Sequence, residues 1–197
     1  LSTGSVIGVE ALVRWEHPER GLLGPHEFLG LAERTGLIGD ITRWVLDAAV
    51  RQCAAWRRAG VELPVAVNLA AANIVDTTLP ESVAHILQRW EVPGRLLECE
   101  VSEDTVMGDP RRAGDVLERL RELGVRLSLD DFGTGHSSLS YLKRLPLDEV
   151  KIDRSFVIGM ADDPSDAAIV RSTIDLARHL GLEVVAEGVE TEETWQR

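Results

Sequence analysis

Short β-branched apolar runs recur along the chain at Val6–Val13, Leu63–Leu69, Leu96–Val101, Val125–Leu129, Glu149–Ile152 and Glu183–Ala186. Their length and residue types predict strands. Between them the apolar spacing changes to the helical period, over Pro25–Thr35, Ile38–Arg58, Leu79–Trp90, Arg111–Leu123, Ser138–Leu142 and Pro164–Leu180. Gly36, Gly60, Gly124 and Gly181 each follow a helical stretch, where a C-terminal stop belongs. Repeated strand–helix alternation predicts an α/β fold with a parallel sheet, because parallel strands need a crossover connection. A doubly wound open sheet gathers its site at one crevice, whereas a closed (β/α)8 barrel gathers residues from many strand ends around one mouth. Here nearly every strand ends in a polar group, which favours the barrel.

Those polar residues are Glu10 in the first run, Asn68 after Val65-Ala66-Val67, Glu100 in Glu98-Cys99-Glu100, Asp130 and Asp131 after Leu129, Lys151 in Val150-Lys151-Ile152, and Glu187 after Ala186. Any one carboxylate at a strand end reads more simply as a helix cap or an ion-pair partner. Together on one rim they would repel strongly unless cations neutralised them. All the donors are oxygen, which selects Mg²⁺, Mn²⁺ or Ca²⁺ over zinc. Adjacent Asp130 and Asp131 suit two nearby ions, and Lys151 adds a fixed positive charge. Paired oxygen-ligated ions beside a lysine point to phosphate-ester hydrolysis. The run Asp131-Phe132-Gly133-Thr134-Gly135-His136-Ser137-Ser138 allows close backbone approach to an anion, or is an ordinary βα loop with a serine cap.

Composition narrows the partners. The chain has 197 residues, 44% of them hydrophobic and 27% charged, enough for one domain with its own core. A formal net charge of −12 argues against DNA or RNA polymers, so an anionic ligand must be met by local features. Cys53 and Cys99 belong to no metal or redox cluster and are expected to be reduced, buried thiols in a cytoplasmic protein. No apolar run approaches the ~18 residues of a membrane span. The five histidines have no ligand spacing and none is assigned to metal. The opening Leu1-Ser2-Thr3-Gly4 lacks an initiator Met, and the chain is expected to be a piece of something longer.

The motifs Glu10-Ala11-Leu12-Val13-Arg14-Trp15, Val67-Asn68-Leu69, Glu100-Val101-Ser102-Glu103, Asp130-Asp131-Phe132-Gly133-Thr134-Gly135, Lys151-Ile152-Asp153 and Glu187-Gly188-Val189-Glu190-Thr191 occur in that order. With them the chain resembles the EAL-domain cyclic-di-GMP phosphodiesterases over essentially its whole length. The resemblance implies a modified (β/α)8 TIM-type barrel with one antiparallel strand, here incomplete at both termini. It also implies hydrolysis of cyclic di-GMP to linear pGpG with two Mg²⁺ or Mn²⁺ ions. Carried over, Glu10, Asn68, Glu100 and Asp130 are ligands of one ion, and Asp130 and Asp131 serve the other. Lys151 orients or deprotonates the attacking water, Glu187 holds metal or its water, and Arg14 contacts a substrate phosphate. Glu103 and Glu190 anchor loops. Ala70 and His136 depart from the family's usual Ser and Tyr. The competing reading is an inactive EAL domain serving as a cyclic-di-GMP receptor or interaction module. A homodimer, additional sensory or cyclase-type domains, and a membrane anchor in the full-length protein are further family expectations.

Overall fold

A computed structural model of the chain describes residues 4–134 and 143–196. The predicted helix Ser138–Leu142, His136 and the end of the glycine-containing loop lie outside the described residues. The elements are β1 (Val9–Ala11), β2 (Trp15–His17), β3 (Gly21–Leu23), α1 (Pro25–Arg34), α2 (Ile38–Arg58), β4 (Val65–Leu69), α3 (Ala71–Ile74) and α4 (Leu79–Trp90). They continue with β5 (Leu97–Ser102), α5 (Glu103–Gly108), α6 (Pro110–Glu122), β6 (Arg126–Phe132), β7 (Glu149–Ile152), α7 (Arg154–Gly159), α8 (Pro164–Leu180), β8 (Glu183–Ala186) and α9 (Glu192–Trp195).

Six strands form one curled parallel sheet in the order β1-β4-β5-β6-β7-β8, a half-barrel. Spatial order follows chain order, so every crossover steps the same way and there is no reversal point of the doubly wound kind. All pairings in this sheet are parallel, so the antiparallel strand implied by the family is not among the described strands. The first strand is shorter than the apolar run, because Val6 and Ile7 are 72% and 77% exposed. β2 and β3 form a separate antiparallel hairpin that strand-length patterning misses at three residues per strand. Helices α3, α5 and α7 are too short to show a helical period in the sequence.

Helix α2 buries Leu46, Ala49, Val50 and Cys53, and α6 buries Ala113, Val116, Leu117 and Leu120, the spacing of one helical face. These stripes belong to one core with Val65, Val67, Cys99, Val101, Leu127 and Leu129. Strand side chains alternate between faces. The residues between these apolar positions therefore point into the curl: Glu98 and Glu100 on β5, Arg126, Ser128 and Asp130 on β6, Glu149 and Lys151 on β7. Both cysteines are free and buried. No helix among the described residues is long and apolar enough to cross a membrane.

At the N-terminal end of the curl, Arg126 ties three strands together, with Glu183 at 2.7 Å, Glu98 at 3.4 Å and Glu149 at 3.7 Å. Burial, and then the neighbouring Glu98 carboxylate, push the Glu149 carboxyl up to about 7. Its folded value lies above the unfolded one, so ionising it costs stability as pH rises through that interval. Glu149→Gln is expected to raise the melting temperature at pH 8 by about 2–4 °C, the change that ~1 kcal/mol produces in a domain of this size. At pH 5 calorimetry should find little difference. A variant that melts below the parent at pH 8 would show that the Arg126 ion pair outweighs the cost of burial.

Candidate active site

The C-terminal ends of the strands bring the polar residues together, and the sheet register shows how. Glu10 pairs with Ala66, Asn68 with Glu100, and Ser102 with Asp130, so the line of functional positions climbs across the sheet. Between β6 and β7 the register breaks. Leu129 pairs with Val150 and Phe132 with Ile152, leaving Asp130 and Asp131 together opposite Lys151. This is a β-bulge, a device that re-aims side chains beside a site. Asp131 takes φ +54°, a left-handed conformation that aspartate tolerates better than most residues. Its N–H donates to Asp130 Oδ1 at 3.0 Å, and its carbonyl accepts from the Thr134 hydroxyl at 2.8 Å. Gly133 follows at φ +102°, with the Phe156 ring 3.0 Å from where a Cβ would stand, so a side chain there would be both strained and crowded.

Lys151 is the centre of the arrangement. Its ammonium lies 2.7 Å from Glu187, 2.9 Å from Glu100 and 3.3 Å from Asp130, carboxylates supplied by three other segments. The Glu187 N–H donates to the Ile152 carbonyl at 3.1 Å, which extends the β7–β8 ladder by one residue and places that carboxylate. Lys151 is 6% exposed and Glu100 3%. Burial alone would depress the lysine, but Glu187, Glu100 and Asp130 outweigh it and hold the ammonium above the ordinary lysine range. Burial pushes Glu100 up to about 7 despite Lys151, with Glu10 and Asp130 adding to the rise. Asp131 is pushed up to about 6 by burial and by Asp130, Asp153 and Glu187. The site therefore holds more negative charge than one lysine balances.

Ligand atoms of Asp130, Asp131 and Glu187 lie within 4.8 Å of one another, a spacing compatible with a shared cation. Among the described residues, Glu100 Oε2 is buried with no hydrogen-bond partner. On the other side of the mouth Asn68 Nδ2 donates to Glu10 Oε1 at 2.6 Å. Among the described residues this leaves Asn68 Oδ1 without a donor, available as a ligand atom. Both side chains are exposed, so Glu10 does not suffer the desolvation that its apolar sequence neighbours suggest. A cavity of about 410 Å³ is lined by Asn68, Asp130 and Asp131 together with Leu29, Ile41 and Thr42.

The remaining candidates stand further out. Glu103 is 2% exposed and accepts from the Gly133 N–H at 3.3 Å, a contact between α5 and the loop after β6. Glu190 is exposed at the end of the segment after β8. Arg14 is exposed beyond β1, with its guanidinium donating to the Val13 carbonyl at 2.8 Å. Asp153, the last residue of the Lys151-Ile152-Asp153 motif, has no role assigned from the sequence. It caps α7 through Ser155, and its carboxyl reaches Asp131. Burial would raise the Asp153 carboxyl, but hydrogen bonds from Ser155 hold it below its ordinary value. Its position one residue beyond a strand end was the available signal.

The whole span, residues 1–197, matches the EAL domain family. The chain is 51% identical over 190 residues to the bifunctional diguanylate cyclase/cyclic di-GMP phosphodiesterase MucR of Pseudomonas aeruginosa, covering 96% of this chain and 28% of that protein. To the cyclic di-GMP phosphodiesterase NbdA of the same organism it is 50% identical over 192 residues, covering 97% of this chain and 24% of that protein. The chain thus spans about a quarter of the length of these relatives. Among solved structures, the MucR phosphodiesterase in complex with c-di-GMP superposes with a TM-score of 0.93 at 50% identity, over 98% of this chain and 78% of that one.

Proposed function

Because this chain belongs to the EAL-domain family, we propose that it is the catalytic part of a phosphodiesterase that hydrolyses cyclic di-GMP to linear pGpG with two Mg²⁺ or Mn²⁺ ions. The observation that carries this reading is the convergence of Glu100, Asp130 and Glu187 on Lys151 at the rim of a parallel sheet, with Asp131 held beside them by the bulge. The donor set fits hard divalent cations: it is all oxygen, it carries excess negative charge, and Glu100 Oε2 is buried without a partner among the described residues. Glu10, Asn68, Glu100 and Asp130 would hold one cation, and Asp130 and Asp131 the other, with Glu187 completing the set. When bound, such cations neutralise the phosphate and lower the pKa of water.

The protein's own groups do the rest. Arg14 at the mouth presents a guanidinium suited to two phosphate oxygens. The Lys151 ammonium donates hydrogen bonds at the point where the carboxylates converge and orients the attacking water. Water adds to one phosphodiester, one P–O bond breaks, and the products are a terminal phosphate monoester and a hydroxyl. Glu103 holds the backbone of the loop after Asp131. Family membership further suggests closure of the half-barrel into a modified (β/α)8 barrel with one antiparallel strand, and the greater length of the relatives suggests sensory or cyclase-type domains beside it. The acidic charge and the free thiols fit a cytoplasmic enzyme that binds a dinucleotide rather than a nucleic-acid polymer.

The test is turnover by the whole protein with Mg²⁺ or Mn²⁺ and with chelator, followed chromatographically for pGpG. Metal-dependent product is expected, and Glu10→Ala should lower the rate at least ~10²-fold, the usual scale for removing a charge that stabilises the transition state. Saturable nucleotide binding without product would make the protein a receptor instead.

A further inference from the structure

We propose that the buried pair Thr42 and Asn73 is a positioning device for the rim amide Asn68 and thereby sets divalent-cation affinity, an inference that rests on the metal-site reading above. Asn73 is 3% exposed and Thr42 5%, so both are polar groups shut away from water. The Thr42 hydroxyl donates to Asn73 Oδ1 at 2.9 Å across 31 positions of sequence. The same oxygen accepts from the Ala70 N–H at 2.9 Å. Ala70 caps α3 with a methyl group that accepts nothing, so Asn73 Oδ1 satisfies the cap N–H from inside the helix.

Asn68 stands two residues before Ala70, at the end of β4, and Ala70-Ala71-Ala72 offer no polar side chain. Asn73 is therefore the first side chain beyond Asn68 able to hydrogen-bond the segment in place. The Asn68 amide in turn meets Glu10 at 2.6 Å. A series of contacts thus runs from α2 through Thr42, Asn73 and the Ala70 backbone to Asn68 and Glu10. Thr42 also lines the cavity shared by Asn68 and Asp130, so its hydroxyl is spent on the support of the loop at the wall of the site. Removing one of two donors from a buried oxygen leaves it partly unsatisfied and loosens the Asn73 amide that holds the Ala70 N–H. Groups that only support metal ligands commonly control affinity in this way.

The experiment titrates Mn²⁺ into the whole protein by electron paramagnetic resonance, which reads binding without turnover, and measures melting of the same proteins in chelator. Thr42→Val keeps the shape and removes the hydroxyl, Thr42→Ala removes it without adding a methyl, and Thr42→Ser retains it. Thr42→Val and Thr42→Ala are expected to bind Mn²⁺ about tenfold more weakly, with Thr42→Ser within about twofold of the parent. If the first two melt lower but bind Mn²⁺ as tightly as the parent, the pair only seals α2 against α3 and the inference is overturned. A parent that binds no Mn²⁺ would overturn the metal-site reading itself.

Discussion

Lys151→Met should lower cyclic-di-GMP turnover by about 10³-fold, the scale of a lost charge and hydrogen-bond donor at the reacting centre. The same substitution should destabilise the metal-free protein by about 3–5 kcal/mol, because it leaves Glu100 and its neighbours buried without their cation. The deficit has a pH signature. Glu100 is already pushed up to about 7, so below that pH it takes a proton and the cost shrinks. Melting in chelator should therefore show a larger gap between variant and parent at pH 8 than at pH 5.5. Mn²⁺ should narrow the gap at pH 8, since a cation at the proposed ligands Glu100 and Asp130 would replace the lost ammonium, and ligand binding to the native state stabilises it. Full activity in Lys151→Met would sink the assignment; lost activity with unchanged stability would place Lys151 outside the ion cluster drawn by its three short contacts.

The second large effect concerns Asp131, where charge and backbone can be separated. Asp131→Asn should lower turnover by on the order of 10²–10³-fold while raising the melting temperature of the metal-free protein. The carboxyl is pushed up to about 6, above its unfolded value, so ionising it costs stability as pH rises through that window. Asparagine removes the charge, and the gain should be complete above that window and absent below pH 4. Asparagine also tolerates the left-handed φ of +54°. Asp131→Ala does not, and should lose roughly 1 kcal/mol that Asp131→Asn keeps. Equal stability of the two variants would mean that the bulge relaxes when the carboxylate goes.

Much of this was legible in the chain itself. Strand β7 and strand β8 coincide with the apolar runs Glu149–Ile152 and Glu183–Ala186, and α2 with the amphipathic stretch Ile38–Arg58. Periodicity suffices there because one face must be buried, and only one alternation or helical spacing buries it. Polar residues at successive strand ends likewise announced a shared rim, because parallel strands carry their C-terminal ends to the same side.

What the tertiary structure decided is the pairing. No local pattern shows that Asp130 and Asp131 share one partner across a register break, that Arg126 collects three glutamates from other strands, or that Thr42 reaches Asn73. Sequence periodicity reports which face of an element is apolar, a property of that element alone. Register, bulges and long-range hydrogen bonds depend on the relative placement of two elements, and are set by packing between residues far apart in the chain.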